Sequence, residues 1–294
     1  MSYTCFDVTI EDRIAHLVMN RPEKRNSMIP EFWDELPQII QDIDHNSKAR
    51  VIIVSSTGPH FTAGLDLKAF VTSPKESPVT GAVESADVPD EKTRAKRLYG
   101  INFYHNILRL QRAFNCLEEC RVPVIAAIQG GAIGGGVDFS VACDMRYATK
   151  DAFFTIMETN IGMTADVGTF PRLVKLIPEG IVRELAYTGR PFPAEEAKSV
   201  GLVNQIYDNQ ETMIEEVMKI AKEIATKAPL AIYGCKRIIN YSRDHNTADG
   251  LDYIGIWNAS MLQPDEMFEA IVARSEKRLA EFVDLPEVKT SFKE

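Results

Sequence analysis

The chain has 294 residues, 45% of them hydrophobic, enough to bury a sizeable core and too apolar for a disordered chain. Its formal net charge is −9 at pH 7, which argues against a general nucleic-acid or anionic-membrane binder. The five cysteines have no zinc-ribbon spacing, the N-terminus carries acidic residues instead of a leader, and no apolar run nears the ~20 residues that span a bilayer; a reducing, cytoplasmic setting without a membrane partner is the expectation.

Residues 6–8 and 14–19 are β-rich runs about Glu11-Asp12-Arg13 and predict an opening hairpin. After a polar loop over residues 21–27, Phe32, Trp33, Leu36, Ile39, Ile40 and Ile43 recur at helical spacing, predicting a helix over 30–43. Residues 51–55 form a short apolar strand, followed by a turn and by Phe61-Thr62-Ala63-Gly64-Leu65-Asp66-Leu67-Lys68. Residues 72–92 hold Pro74, Pro78, Gly81 and Pro89 among polar residues and read as a mobile loop or insertion. A long helix is predicted over 93–120 and a buried strand over 122–128. The glycine-rich break Gly130-Gly131-Ala132-Ile133-Gly134-Gly135-Gly136 then leads into an apolar segment over 137–143. Further on, strands are predicted over 151–155 and 202–206, and helices over 169–176, 179–188 and 193–200. From about residue 210 the pattern is helical: 211–227, 229–241, 247–262 and 264–282. The chain divides into an α/β body over 1–210 and a helical region over 211–294. Several short β units before each helix favour a strand-strand-helix spiral over a doubly wound sheet. Ile254, Trp257 and Met261 in the tail exceed what a small appendage can bury on itself, so they should pack on the body or on another subunit.

Gly134-Gly135-Gly136 precedes a helical segment, and helix N-termini offer unpaired N–H groups with partial positive charge. Without Cβ atoms those groups can approach a ligand oxygen and stabilise an enolate better than a neutral carbonyl. The run is neither a P-loop nor Gly-x-Gly-x-x-Gly. Ala63-Gly64-Leu65-Asp66 also follows a buried strand, so a donor near Leu65 can converge with one from Gly135. Asp138, Glu158 and Asp166 stand in mostly apolar company, where an unpaired carboxylate is costly and proton chemistry gives a reason for it. The histidines show no metal spacing, and no Gly-x-Ser-x-Gly elbow surrounds Ser55 or Ser56.

Arg21-Pro22 with Asn26-Ser27-Met28, then residues 61–67, then Ile133-Gly134-Gly135-Gly136-Val137-Asp138, in this order and spacing, resemble the enoyl-CoA hydratase/isomerase (crotonase) superfamily over nearly the whole chain. The resemblance implies a ClpP-like α/β spiral of ββα units, a helical C-terminal trimerisation region, and association as a trimer or a hexamer of two trimers. It also implies an acyl-CoA thioester substrate, with coenzyme A part of that substrate and no separate cofactor or metal. Carried onto this sequence, the N–H groups of Leu65 and Gly135 form an oxyanion hole. Lys24, Arg25, Ala63, Gly64, Asp66, Lys68 and Gly134 lie along the bound CoA thioester.

Hydratases of the superfamily place glutamates at the positions matching Asp138 and Glu158, and usually a glycine at the position matching Asp166. Here the first is aspartate and the third is a carboxylate. That set resembles the Δ3,5-Δ2,4-dienoyl-CoA isomerases, as do Tyr241-Ser242-Arg243-Asp244-His245 and Trp257-Asn258-Ala259-Ser260-Met261-Leu262. The implied roles are Glu158 as base at C2, Asp166 as acid at C6, and Asp138 as the group that orients or tunes them; the reverse assignment of base and acid stays open. The alternatives are an enoyl-CoA hydratase, with water activated between Asp138 and Glu158, and a non-catalytic CoA- or RNA-binding protein of this fold, against which the acidic charge counts.

Overall fold

The structure, a computed structural model, describes residues 3–70 and 91–289. The expected loop over 72–92 lies almost wholly outside them.

The opening hairpin forms as the alternation requires. Strand β1 (Phe6–Glu11) pairs antiparallel with β2 (Ile14–Met19) in the register Val8 to Leu17. Asp12 and Arg13 make the turn with positive φ, as a two-residue hairpin loop demands. Helix α1 (Pro30–His45) has proline in its first turn, where the missing N–H is harmless. It runs on through Pro37, whose cost is offset by the buried stripe Phe32, Trp33, Leu36, Ile39, Ile40 and Ile43. Strand β3 (Val51–Ser56), the short helix α2 (Leu67–Phe70), the long helix α3 (Glu91–Glu119) and strand β4 (Val124–Ile128) follow.

The glycine break is itself partly strand, β5 (Gly131–Ile133), and helix α4 (Gly135–Ala142) starts directly after it with every residue buried. The sequence reading passes over β6 (Met145–Thr149), because Arg146 interrupts its apolar run. That guanidinium is buried and donates to the carbonyls of Leu202, Ser140 and Cys143, so its polar atoms are satisfied inside the core. Then come β7 (Phe153–Thr155), α5 (Thr169–Leu173), α6 (Glu179–Thr188), β8 (Phe192–Pro193), α7 (Ala194–Ser199) and β9 (Gln205–Tyr207). The C-terminal helices are α8 (Gln210–Ala225), α9 (Pro229–Asp244), α10 (Thr247–Met261) and α11 (Pro264–Glu276). Helix α11 stops six residues short of the expected 282, because Lys277 takes a left-handed conformation and its N–H caps the carbonyls of Ala273 and Arg274.

The large sheet has the order β1-β2-β3-β4-β6-β9, parallel except for the opening hairpin; the small sheet has the order β5-β7-β8. Period-two alternation sorts the large sheet's side chains onto two faces. Ala15, Leu17, Ile52, Val54, Val124, Ala126 and Ile128 join the main core under α1, α3 and α4. Ile14, Val51, Ile53, Ile125, Ala127 and Tyr147 meet Met213, Val217, Ala221 and Ala225 of α8 on the other. Phe139 of α4 is fully buried against Phe32, Phe61 and Phe114, a burial worth about 1.5–3 kcal/mol. That ring cluster pins α4, and with it the glycine loop, against α1 and α3.

Candidate active site

Two backbone segments meet at the N-terminus of α4. Thr62 binds them together: its N–H donates to the Gly131 carbonyl (3.1 Å) and its own carbonyl accepts from Ile133 (3.1 Å). The same threonine's hydroxyl donates to the Asn26 carbonyl (2.7 Å), which draws in the loop over 21–27. Asn26 is buried, and its side-chain amide donates to the carbonyls of Thr57 and His60. Met28 then pairs beside Leu65, its N–H donating to Gly64 and its carbonyl accepting from Asp66. Gly64 has φ +77, and a Cβ on it would lie 2.5 Å from the Ile133 carbonyl and 3.1 Å from the Gly135 nitrogen. Only glycine allows so close an approach.

Leu65 therefore stands next to the first turn of α4. Among the turn, loop and cap hydrogen bonds of the described residues, the N–H groups of Leu65 and Gly135 donate to nothing. Gly135, at the first position of α4, also has no intrahelical acceptor. Two free amides at one place, one of them at a positive helix end, form a receptor for an oxygen that gains negative charge.

The three carboxylates gather on the other side of that loop. A Cβ on Gly134 would come within 3.1 Å of Glu158 Oε1, so this carboxylate borders the loop. Glu158 opens a tight helical turn after β7, and its buried Oε2 has no partner among the described residues. Burial, and secondarily Asp166, pushes its pKa above the ordinary value. Asp138, in the first turn of α4, is 1% exposed, and its Oδ1 accepts from the Thr169 N–H (2.6 Å) and hydroxyl (2.8 Å). Burial and then Glu158 raise its pKa to about 7, against the pull of those two bonds. Asp166 is partly buried in an irregular segment before α5, and burial raises its pKa too. Three carboxylates whose ionisation burial opposes, beside one pair of free amides, are groups able to take up and release protons.

Each expected site residue takes a definite place. Leu65, Gly64, Ala63, Gly134, Gly135 and the three acids converge. Lys24 and Arg25 are exposed at the rim, where the Arg25 carbonyl accepts from the Ala63 N–H (2.9 Å). Asp66 is engaged by the Ser27 hydroxyl (3.1 Å) and the Lys68 N–H (3.2 Å), and the Lys68 side chain is exposed. Sequence reasoning assigned no role to Thr62, Thr169 or Gln111. Thr169 is the last residue of Thr-Ala-Asp-Val-Gly-Thr, but nothing in that spacing says that it binds Asp138. The described residues contain no group of three or more His, Cys, Asp or Glu side chains able to hold a metal ion.

The profile of the family described as enoyl-CoA hydratase/isomerase matches residues 9–86 and 93–285. A rat protein named Delta(3,5)-Delta(2,4)-dienoyl-CoA isomerase, mitochondrial, is 39% identical over 281 residues, covering 94% of this chain and 81% of its own. An Arabidopsis thaliana protein named as the peroxisomal Delta(3,5)-Delta(2,4)-dienoyl-CoA isomerase is 37% identical, with 94% of each chain covered. Among solved structures, an enoyl-CoA hydratase from Bacillus anthracis superposes with TM-score 0.81 at 27% identity, covering 95% of this chain and 99% of its own.

Proposed function

The chain belongs to the enoyl-CoA hydratase/isomerase family, and we propose that within it this protein is a Δ3,5-Δ2,4-dienoyl-CoA isomerase of fatty-acid degradation. The observation that carries the choice of reaction is Asp166, a third carboxylate with a raised pKa beside Asp138 and Glu158.

The substrate thioester oxygen sits between the N–H groups of Leu65 and Gly135. Glu158 removes a proton from C2, and the electron pair spreads along the conjugated chain to the thioester oxygen and to C6. The two amides stabilise that dienolate more than the neutral thioester, which lowers the barrier. Asp166 then protonates C6; the double bonds end at C2 and C4, with Glu158 protonated and Asp166 ionised. Asp138 lies between these events electrostatically, since its own ionisation is opposed by Glu158 and, more weakly, by Asp166. Coenzyme A arrives as part of the substrate, and Lys24, Arg25 and Lys68 offer positive charge at the rim for its phosphates. The chemistry as drawn needs only these amides and carboxylates.

Self-association as a trimer, or as a hexamer of two trimers, is part of the same proposal. It is supported by the apolar side chains that α10 and α11 leave exposed, among them Ile256, Met267, Ile271 and Phe268, the last 69% exposed.

Purified protein given 3,5-dienoyl-CoA and 2-enoyl-CoA side by side tests the reaction. Conversion of the first to the conjugated 2,4-dienoyl product, with little hydration of the second, is expected. Fast hydration with no isomerisation would make it a hydratase instead.

A further inference from the structure

Asp166 occupies a segment with no regular secondary structure, yet a general acid has to hold its place to within a fraction of an ångström. Its backbone is tethered by Gln111 of α3, whose side-chain amide donates to the Asp166 carbonyl at 2.7 Å. Two residues on, the backbone passes so close to the Arg172 guanidinium that a Cβ on Gly168, which has φ +139, would collide with Nη1. Arg172 is itself buried and fixed to α3. Its Nε and Nη2 donate to Glu118 Oε2 at 3.0 and 2.9 Å, and Nη2 also donates to Asn115 Oδ1 at 2.7 Å. The second oxygen of Glu118 accepts from Arg243 at the end of α9, and Asn240 of α9 donates to the Glu118 carbonyl. Burial alone would raise the Glu118 carboxyl, but the two guanidiniums overcome it and hold its pKa below the ordinary value. Gln111, Glu118, Arg172 and Arg243, with Asp166, line one cavity of about 310 Å³.

We infer that Glu118, clasped between Arg172 and Arg243, acts with Gln111 as the positioning frame of Asp166, so that helix α9 takes part in setting the proton donor. The inference rests on the reading of Asp166 as the acid at C6. It gives the C-terminal region a role beyond association: a shift of α9 passes through Arg243 and Glu118 to Arg172 and so to the backbone beside Asp166. Two guanidinium N–H groups on one oxygen of a mostly buried carboxylate, with a second guanidinium on the other oxygen, give charge-assisted bonds of the directionality such a link needs.

The pH dependence has a definite sign. Asp166 must be protonated to act, so activity falls as pH rises through its pKa. Glu158 and Asp138 face it from the site, and Glu118, Arg172, Lys175, Arg243 and Asp244 from the cavity. Releasing the segment admits water to Asp166 and lowers its raised pKa, so the alkaline limb moves to lower pH. Gln111→Leu reads this cleanly, because it removes the tether without changing any charge.

The test uses the full-length protein and the variants Gln111→Leu, Arg243→Met and Arg243→Lys. In each of the first two, kcat should fall about ten- to a hundredfold with KM changed by less than about threefold. The alkaline limb of Gln111→Leu should shift to lower pH, and Arg243→Lys should recover part of the loss. Amide exchange over residues 165–169 should quicken in both disabled variants. A KM effect with kcat intact, an unmoved alkaline limb in Gln111→Leu, or unchanged exchange at 165–169 would each overturn the frame. If wild-type protein isomerised nothing, the functional reading would fail by itself, and amide exchange would still decide whether α9 holds the segment.

Discussion

At one end of the site, the N–H groups of Leu65 and Gly135 are held by backbone bonds from three loops, with Thr62 binding them together. At the other end, Asp138, Glu158 and Asp166 are side chains kept in surroundings that oppose their ionisation. The first half relies on geometry alone, and any acyl-CoA enzyme that stabilises an enolate can use it unchanged. In the proposed reaction the second half sets which atoms lose and gain protons. The backbone half depends on the fold, which this chain shares with an enoyl-CoA hydratase from Bacillus anthracis at TM-score 0.81; the acids are side chains that the fold alone does not specify.

Removing the acids should have the largest effect. Glu158→Gln is expected to lower isomerase kcat by about 10²–10⁴-fold, the usual worth of a positioned acid or base. Asp166→Asn should do the same for isomerisation alone, leaving any residual hydration of 2-enoyl-CoA at its wild-type rate. If both reactions fell together in steady-state assays, Asp166 would not be what distinguishes them. The oxyanion half should respond less selectively. Gly64→Ala forces a Cβ against the Ile133 carbonyl and the Gly135 nitrogen, and a loss of about 10²–10³-fold is expected for every thioester tried. A substrate-dependent loss would break the division between a general half and a specific one.

The smallest effect concerns stability. The fold raises the Asp138 pKa from 3.8 to about 7. A carboxyl raised in this way favours the folded state while protonated, and that contribution is lost as pH rises through about 7. Asp138→Asn removes the ionised buried group, so it should melt higher than wild type at pH 8 by a margin that shrinks toward pH 5. The gain should be no more than about 4 kcal/mol, while catalysis falls. Equal melting differences at the two pH values would mean that Asp138 is not strained by its burial.

Legibility followed the same division. Strands β2 to β4 and helix α1 could be read from apolar periodicity, because each buries one face or both against a regular neighbour. Strand β6 could not, because Arg146 looks polar in one dimension and becomes acceptable only when three carbonyls from other segments surround it. The end of α11 was misplaced because the side-chain pattern continues past Lys277 while the backbone turns left-handed there. The three carboxylates were visible as acids in apolar company, whereas Thr169, Gln111 and Glu118 gave no sign. Their partners lie 31, 55 and 54 residues away along the chain.

The sequence by itself determined the order of most elements, the glycines that let two loops approach, and the presence of three acids that solvent would not explain. Those are local properties: periodicity, missing Cβ atoms and residue chemistry. Only the tertiary structure decided that Thr62 joins the two loops, that Thr169 holds Asp138, and that Asp166 hangs from α3 and, through Glu118, from α9. Hydrogen bonds between distant segments have no periodicity to reveal them, and the pKa values that make carboxylates useful arise from what surrounds them after folding.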